Sequence, residues 1–213
     1  MEVRQDSTWI IKGMMKARLR IADCSNSWQQ MLSTDTFKME KIYKELMQHH
    51  QTVDWYAVLA GNRARPRALF CLWLACHRRL ATKDRLAKFG VIRDTQCCFC
   101  REAETLDHLF YRCSVMKAIW IDTLKWLNIV HTPLDWTQEL RWLILCARGK
   151  GMKANLLKMA AAETLYQCWK FRNDACFGTP QPVDKVVHSI QEAIIHRGWN
   201  YRKYKDSIAK LLI

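Results

Sequence analysis

Residues 97–113 read CCFCREAETLDHLFYRC, four cysteines and one histidine within 17 positions. Cys97 and Cys100 have two residues between them, a spacing at which a turn brings both sulfurs to one side. Seven residues separate Cys100 from His108, and four separate His108 from Cys113. That last step, i to i+5, is wide for one straight helical face. It works if a helix starts at His108 and Cys113 sits at its end, and Thr105 and Asp107 read as helix-start residues just ahead. Three thiolates and one imidazole make a closed tetrahedral set for Zn²⁺, with no position left for water. The expected cofactor is therefore structural zinc, held by Cys97, Cys100, His108 and Cys113. Such ligands are gathered only with the metal bound, so the ion supplies folding free energy.

Two other readings of the thiols compete. A redox Cys-x-x-Cys wants a βαβ setting, which the pattern around it lacks. A run of buried thiols does not suit a loop carrying Arg101, Glu102, Glu104 and Asp107. Cys98 is too close to Cys100 for the usual turn, so Cys97 is taken as the first ligand and Cys98 as its alternative. Cys24, Cys71, Cys76, Cys146, Cys168 and Cys176 lie on apolar stretches and read as small core residues.

The surroundings of the cluster are helical. Ala68–Leu80, ALFCLWLACHRRL, is apolar nearly all round and predicts a buried helix with a basic end. Thr82-Lys83-Asp84 is a helix start, and Gly90 a stop. Apolar positions 115, 119, 120, 124 and 127 predict a helix over 115–127. Further helices are expected over 136–147, 152–177 and from 183 onward, with GTPQP at 178–182 as a loop. Ahead of the cluster, Trp9, Ile10, Met14 and Leu19 suggest one helix, and Phe37, Ile42, Tyr43 and Leu46 another.

Composition agrees. Half of the 213 residues are apolar, so the chain can bury a core. Seven glycines and four prolines are few for an all-β chain, while ten tryptophans and nine methionines suit helices with bulky packing faces. The expected fold is all-α: a helical, bundle-like architecture around a central CCHC zinc knuckle. Three regions are expected: an N-terminal helical region at 1–60, a zinc-binding region at 61–130 and a C-terminal helical region at 131–213.

Thirty-four Lys and Arg against 20 Asp and Glu give a net charge of +14, which favours anionic partners. No apolar run is long enough to span a bilayer, so no membrane partner is expected. No secretory leader stands at the start, and an intracellular, nuclear or cytoplasmic location follows. The basic, amphipathic first residues keep a mitochondrial location open, with Glu2 and Asp6 against it.

The stretch 65–113 resembles the zinc-binding domain at the C-terminal end of plant LINE-type (non-LTR) reverse transcriptases. The resemblance is carried by Pro66, Phe70, Trp73, Ala75, Arg79-Leu80, Thr82, Leu86, Cys97, Cys100, Glu104-Thr105, His108-Leu109-Phe110 and Cys113. Ala81 stands where that family usually has proline. STWIIKGMMKAR at 7–18, FKMEKIYKEL at 37–46 and WKFRND at 169–174 resemble flanking motifs of the same elements. The resemblance implies an origin as the tail of a retroelement polyprotein. The polymerase chemistry does not come with it: no Asp-Asp pair is present to hold two metal ions, and the acids are scattered over helical stretches. A non-catalytic protein without a small-molecule substrate is expected.

Two segments are candidates for DNA or RNA. Residues 61–93 hold nine basic side chains against one acid, Asp84. Arg63, Arg65, Arg67, Arg78, Arg79, Lys83, Arg85 and Lys88 among them could form one phosphate-contacting face beside the zinc. In HRGWNYRKYK at 196–205, Trp199 and Tyr201 interleave with Arg197, Arg202 and Lys203, so rings can stack on unpaired bases while cations follow the backbone. The competing expectation is a co-opted protein-interaction module, for example one component of a selfish toxin–antidote pair. Tryptophan and arginine are favoured at interface hot spots.

Overall fold

A computed structural model describes residues 52–149, 151–209 and 211. The helices expected around residues 9–19 and 37–46, the flanking motifs there and Cys24 lie outside the described residues.

The helices run α1 (Tyr56–Leu59), α2 (Pro66–Cys76), α3 (Lys83–Lys88), a wide π-type turn (His108–Arg112), α4 (Ser114–Trp126), α5 (Trp136–Ala147), α6 (Met152–Phe177), α7 (Val183–Trp199), a 3₁₀ turn (Arg202–Tyr204) and α8 (Lys205–Ala209). Among the described residues β structure is confined to one isolated antiparallel bridge, Gln96 with Ala103. The all-α expectation holds.

α6 is the axis. It packs against α2, α4, α5 and α7. Its sequence has no glycine or proline to interrupt it over 26 residues. Ala160, Ala161 and Ala162 are all buried, and their small side chains let neighbouring helices approach closely. Leu72 of α2, Ile119 and Trp120 of α4, Leu143 of α5 and Ile190 and Ile194 of α7 meet α6 in one core. That core joins helices on both sides of residue 130, within a unit spanning residues 53–213.

Local signals explain the ends. Pro66 opens α2 at the first turn, where its missing N–H costs nothing. Asp135 caps α5 by accepting from the Gln138 N–H at 2.9 Å. Gly90 adopts φ 70° just beyond α3, the left-handed conformation that ends helices. α2 departs from expectation in two ways. It ends at Cys76, because Arg78 takes φ 52° and turns the chain away. Nor is it buried all round: Ala68, Cys71, Leu72 and Ala75 face the core, while Phe70 and Trp73 are exposed and stacked at 5.8 Å. Among the described residues no helix is long and apolar enough to cross a membrane.

Candidate metal centre

The Cys-x-x-Cys turn is the tip of a short antiparallel excursion. The Glu104 N–H bonds Thr95 O at 2.8 Å and the Cys97 N–H bonds Glu102 O at 2.7 Å, on either side of the Gln96–Ala103 bridge. The Arg101 N–H then closes the loop onto Cys97 O at 3.0 Å, with Arg101 itself at φ 63°. A non-glycine residue in that region is uncommon and is held here by the loop around it.

Downstream, the π-type turn solves the i to i+5 problem. The Cys113 N–H bonds His108 O at 2.7 Å, so one wide turn separates the two ligands. An ordinary helical turn would place them on different faces. The Thr105 hydroxyl accepts from the His108 N–H at 3.1 Å, which starts the turn. Leu109, Phe110 and Tyr111 are buried and anchor it, with Phe110 and Tyr111 against Trp136 of α5.

The four expected ligands converge. One donor atom from each of Cys97, Cys100, His108 and Cys113 lies within 4.8 Å of all the others. Cys97 Sγ is 4.0 Å from Cys113 Sγ, and Cys100 Sγ is 3.1 Å from His108 Nε2. A tetrahedron with Zn–S bonds of about 2.3 Å has S···S edges of about 3.8 Å, so donor set and spacing fit a structural zinc. Cys97, His108 and Cys113 are buried and Cys100 partly so, as a closed site requires.

Electrostatics prepare the donors. The Cys97 thiol is pulled down to about 4, chiefly by a hydrogen bond from Cys113, against burial and with help from the Phe99 and Cys100 N–H groups. Cys113 is pushed up correspondingly, first by that bond to Cys97 and then by burial. A metal ion binds these sulfurs as thiolates, so its binding releases their protons. On the other side of the imidazole, His108 Nδ1 is 3.1 Å from the Glu102 carboxylate. That contact holds the ring with Nε2 turned toward the sulfurs, an arrangement common behind metal-bound histidine.

The knuckle is fastened to α6. Phe99, between the first two ligands, stacks on Phe171 at 4.9 Å. Glu104, fully buried, receives the Arg172 guanidinium through three contacts between 2.5 and 3.1 Å. The same carboxylate accepts the Lys83 N–H at 2.9 Å and so serves the N-terminus of α3 from 21 positions away. Spacing alone did not single out Glu104, Arg172 or Glu102; the Glu104-Thr105 and WKFRND matches were the only signal for the first two.

Of the other cysteines, Cys71 and Cys168 are buried as expected, while Cys76, Cys146 and Cys176 are partly exposed. Burial pushes the Cys71 and Cys76 thiols up to about 12, which suits inert packing. Cys98 is exposed. Its sulfur lies near Cys97 and the Glu104 carboxylate, but it is not in the four-membered cluster.

The basic residues separate by what they touch. Arg65 is committed to buried Glu163, with contacts from 2.6 to 3.1 Å. Lys83 pairs with Asp94 at 2.8 Å and also donates to Gln96 O, and Arg78 pairs with Asp107 at 3.2 Å. Arg85 donates to Arg78 O at 3.1 Å. Arg67, Arg79 and Lys88 are exposed. Arg63 joins the two expected basic segments: its guanidinium lies 4.6 Å over the Tyr201 ring, and Arg197 Nε donates to Arg63 O at 3.0 Å. Trp199 and Arg202 of the second segment are exposed, and the Lys203 side chain lies outside the described residues.

Fold and centre together define a helical protein built on a Cys₃His metal site. Residues 37–120 match the family model described as zinc-binding in reverse transcriptase. No curated protein and no solved structure matches the chain significantly.

Proposed function

We propose that the chain is a non-catalytic, zinc-organised derivative of a plant LINE-type reverse transcriptase, and that it binds DNA or RNA through a basic surface. The observation that carries the binding surface is the junction at Arg63. Two basic segments 134 positions apart in sequence meet there, Arg63 with Arg197, and Tyr201 supplies a ring beneath the cation. Arg67, Trp199 and Arg202 of the same two segments are exposed and supply further cations and an aromatic ring. Cations of this kind bind phosphates with little sequence preference and a steep salt dependence. Retention of the zinc-loaded chain on heparin and on single-stranded DNA across a salt series tests this. Binding that weakens steeply with salt is the expected result, and no binding at low salt overturns it.

A second reading rests on the outer face of α2. Phe70 and Trp73 stack there in solvent, and Tyr56 of α1 is exposed as well. Exposed aromatic rings of this kind suit a protein partner. An absence of nucleic-acid binding together with a co-purifying protein that Phe70→Ala and Trp73→Ala release would favour it.

A further inference from the structure

α2 turns an aromatic row outward. Phe70, Trp73 and His77 follow one another at helical spacing, i to i+3 to i+7, so they share one face of the helix and of the residue that ends it. All three are exposed, Phe70 at 60% and Trp73 at 36%. The Phe70 and Trp73 rings lie within 18° of parallel, and Trp73 meets His77 at 4.6 Å. Trp55 joins the row through His77 at 5.0 Å. Neither the metal centre nor the Arg63 junction uses these rings. The charge around them narrows what could cover them. From Gly61 to Leu80 the sequence holds five arginines and no acid, so the segment that carries the row is purely cationic. Arg65 and Arg78 are committed to Glu163 and Asp107, while Arg67 and Arg79 are exposed and pair with no acid among the described residues. Arg67 stands three positions before Phe70, so cation and ring are neighbours on the helix surface.

We propose that Phe70, Trp73 and His77 form a stacking platform for unpaired bases, which makes single-stranded DNA or RNA, and not duplex, the ligand of this protein. The proposal rests on the nucleic-acid reading above and names its substrate class. A single strand satisfies both features of the face at once: its phosphates meet Arg67, and its bases lie flat on the rings. The arginine one turn from the rings favours this polyanion over the protein partner that bare rings would suit. A duplex keeps its base faces covered by its own stacking and offers the row nothing to hold. Every base has a flat face, so the platform accepts strands with little regard to sequence.

The test uses the full zinc-loaded chain and fluorescence anisotropy with a labelled single DNA strand and with the duplex made from it. Phe70→Leu combined with Trp73→Leu keeps apolar bulk on an exposed face but removes the rings. That variant should retain zinc, melting and duplex affinity, and bind the single strand more weakly by roughly tenfold for each ring lost. Its slope of log affinity against log salt should match the parent's, because no phosphate contact is removed. Phe70→Tyr combined with Trp73→Phe preserves the rings and should bind as the parent does. A strand carrying 5-iodouracil, irradiated on the parent, should cross-link to the peptide that holds Phe70 and Trp73. A parent that binds the single strand, with the leucine variant binding it equally well, overturns the platform and leaves the Arg63 surface standing. An equal loss on strand and duplex overturns it too, since stacking on unpaired bases cannot weaken the duplex. Release of a co-purifying protein by the leucine variant, with single-strand affinity unchanged, assigns the row to a protein partner instead. A parent that holds neither nucleic acid at low salt removes this proposal together with the reading beneath it.

Discussion

Arg172 grips Glu104 across 68 positions of sequence, and both side chains are buried, the carboxylate completely. Glu104 lies between the second and third metal ligands, and Arg172 is in the second half of α6. The pair is therefore the charged bolt between the metal turn and the central helix. Each guanidinium contact is charge-assisted and forked, which fixes orientation as well as distance. A buried ion pair adds little net stability over an apolar pair, but removing one partner strands the other. Arg172→Met should therefore cost about 3–5 kcal/mol. Glu104→Ala should cost at least as much, because it also deprives the Lys83 N–H of its acceptor. Urea denaturation of the zinc-loaded proteins measures both. Losses under about 1 kcal/mol would show that the pair is not the fastening described.

Removing a metal ligand acts on the same region from the other side. Cys100→Ser exchanges a thiolate for a hydroxyl, a poor zinc donor at neutral pH. The remaining sulfurs, Cys97 and Cys113, stay 4.0 Å apart with no ion between them to offset the burial of charge. The expected outcome is loss of bound zinc and a chain that melts far lower or does not fold. Acid should act in the same direction, since protons compete with the metal for the sulfurs and the imidazole, so affinity falls as pH falls. Elemental analysis with thermal melting decides it. One equivalent of zinc with unchanged melting in Cys100→Ser would refute the site.

Glu102 offers a gentler probe. Its carboxylate is largely solvent-exposed yet touches His108 Nδ1 at 3.1 Å, so it orients a ligand without supporting the core. Glu102→Ala should leave the fold intact and weaken zinc about 10–100-fold. Competition against a chromophoric chelator reads the affinity directly. An unchanged affinity would mean that the imidazole is held by its burial alone.

The metal set was legible because Cys-x-x-Cys and His-x4-Cys are local patterns with few uses in a polar loop. The helices over 136–147 and 152–177 were legible because periodic apolar positions and clear breakers bound them. The π-type turn was less so: the i to i+5 spacing raised the question, but only the backbone shows that Cys113 N–H reaches His108 O. Arg101 in the left-handed region carries no sequence signal, since arginine is not a turn residue by habit. The exposed side of α2 escaped because composition gives apolarity without direction, and Phe70 and Trp73 look the same inside or out. Long-range pairs such as Arg65 with Glu163 are invisible to periodicity altogether. They removed Arg65 and Lys83 from the set of available cations, which a count of charges cannot do.

That last point shapes the test of nucleic-acid binding. Reversing Arg65 would strand Glu163, fully buried beneath it, and would unfold the chain whatever the partner. Arg63, Arg67 and Arg202 are exposed, and none of the three pairs with an acid among the described residues. Arg63→Glu, Arg67→Glu and Arg202→Glu together should preserve zinc content and melting while abolishing measurable retention on single-stranded DNA near physiological salt. Single Arg→Ala changes at these positions should each lower the slope of log affinity against log salt by about one where the side chain meets a phosphate. Filter binding or fluorescence anisotropy at several salt concentrations gives the slopes. A triple variant that folds, keeps its zinc and binds as the parent does would place the contact elsewhere. The other exposed cations of the first basic segment, Arg79 and Lys88, would be the next to reverse.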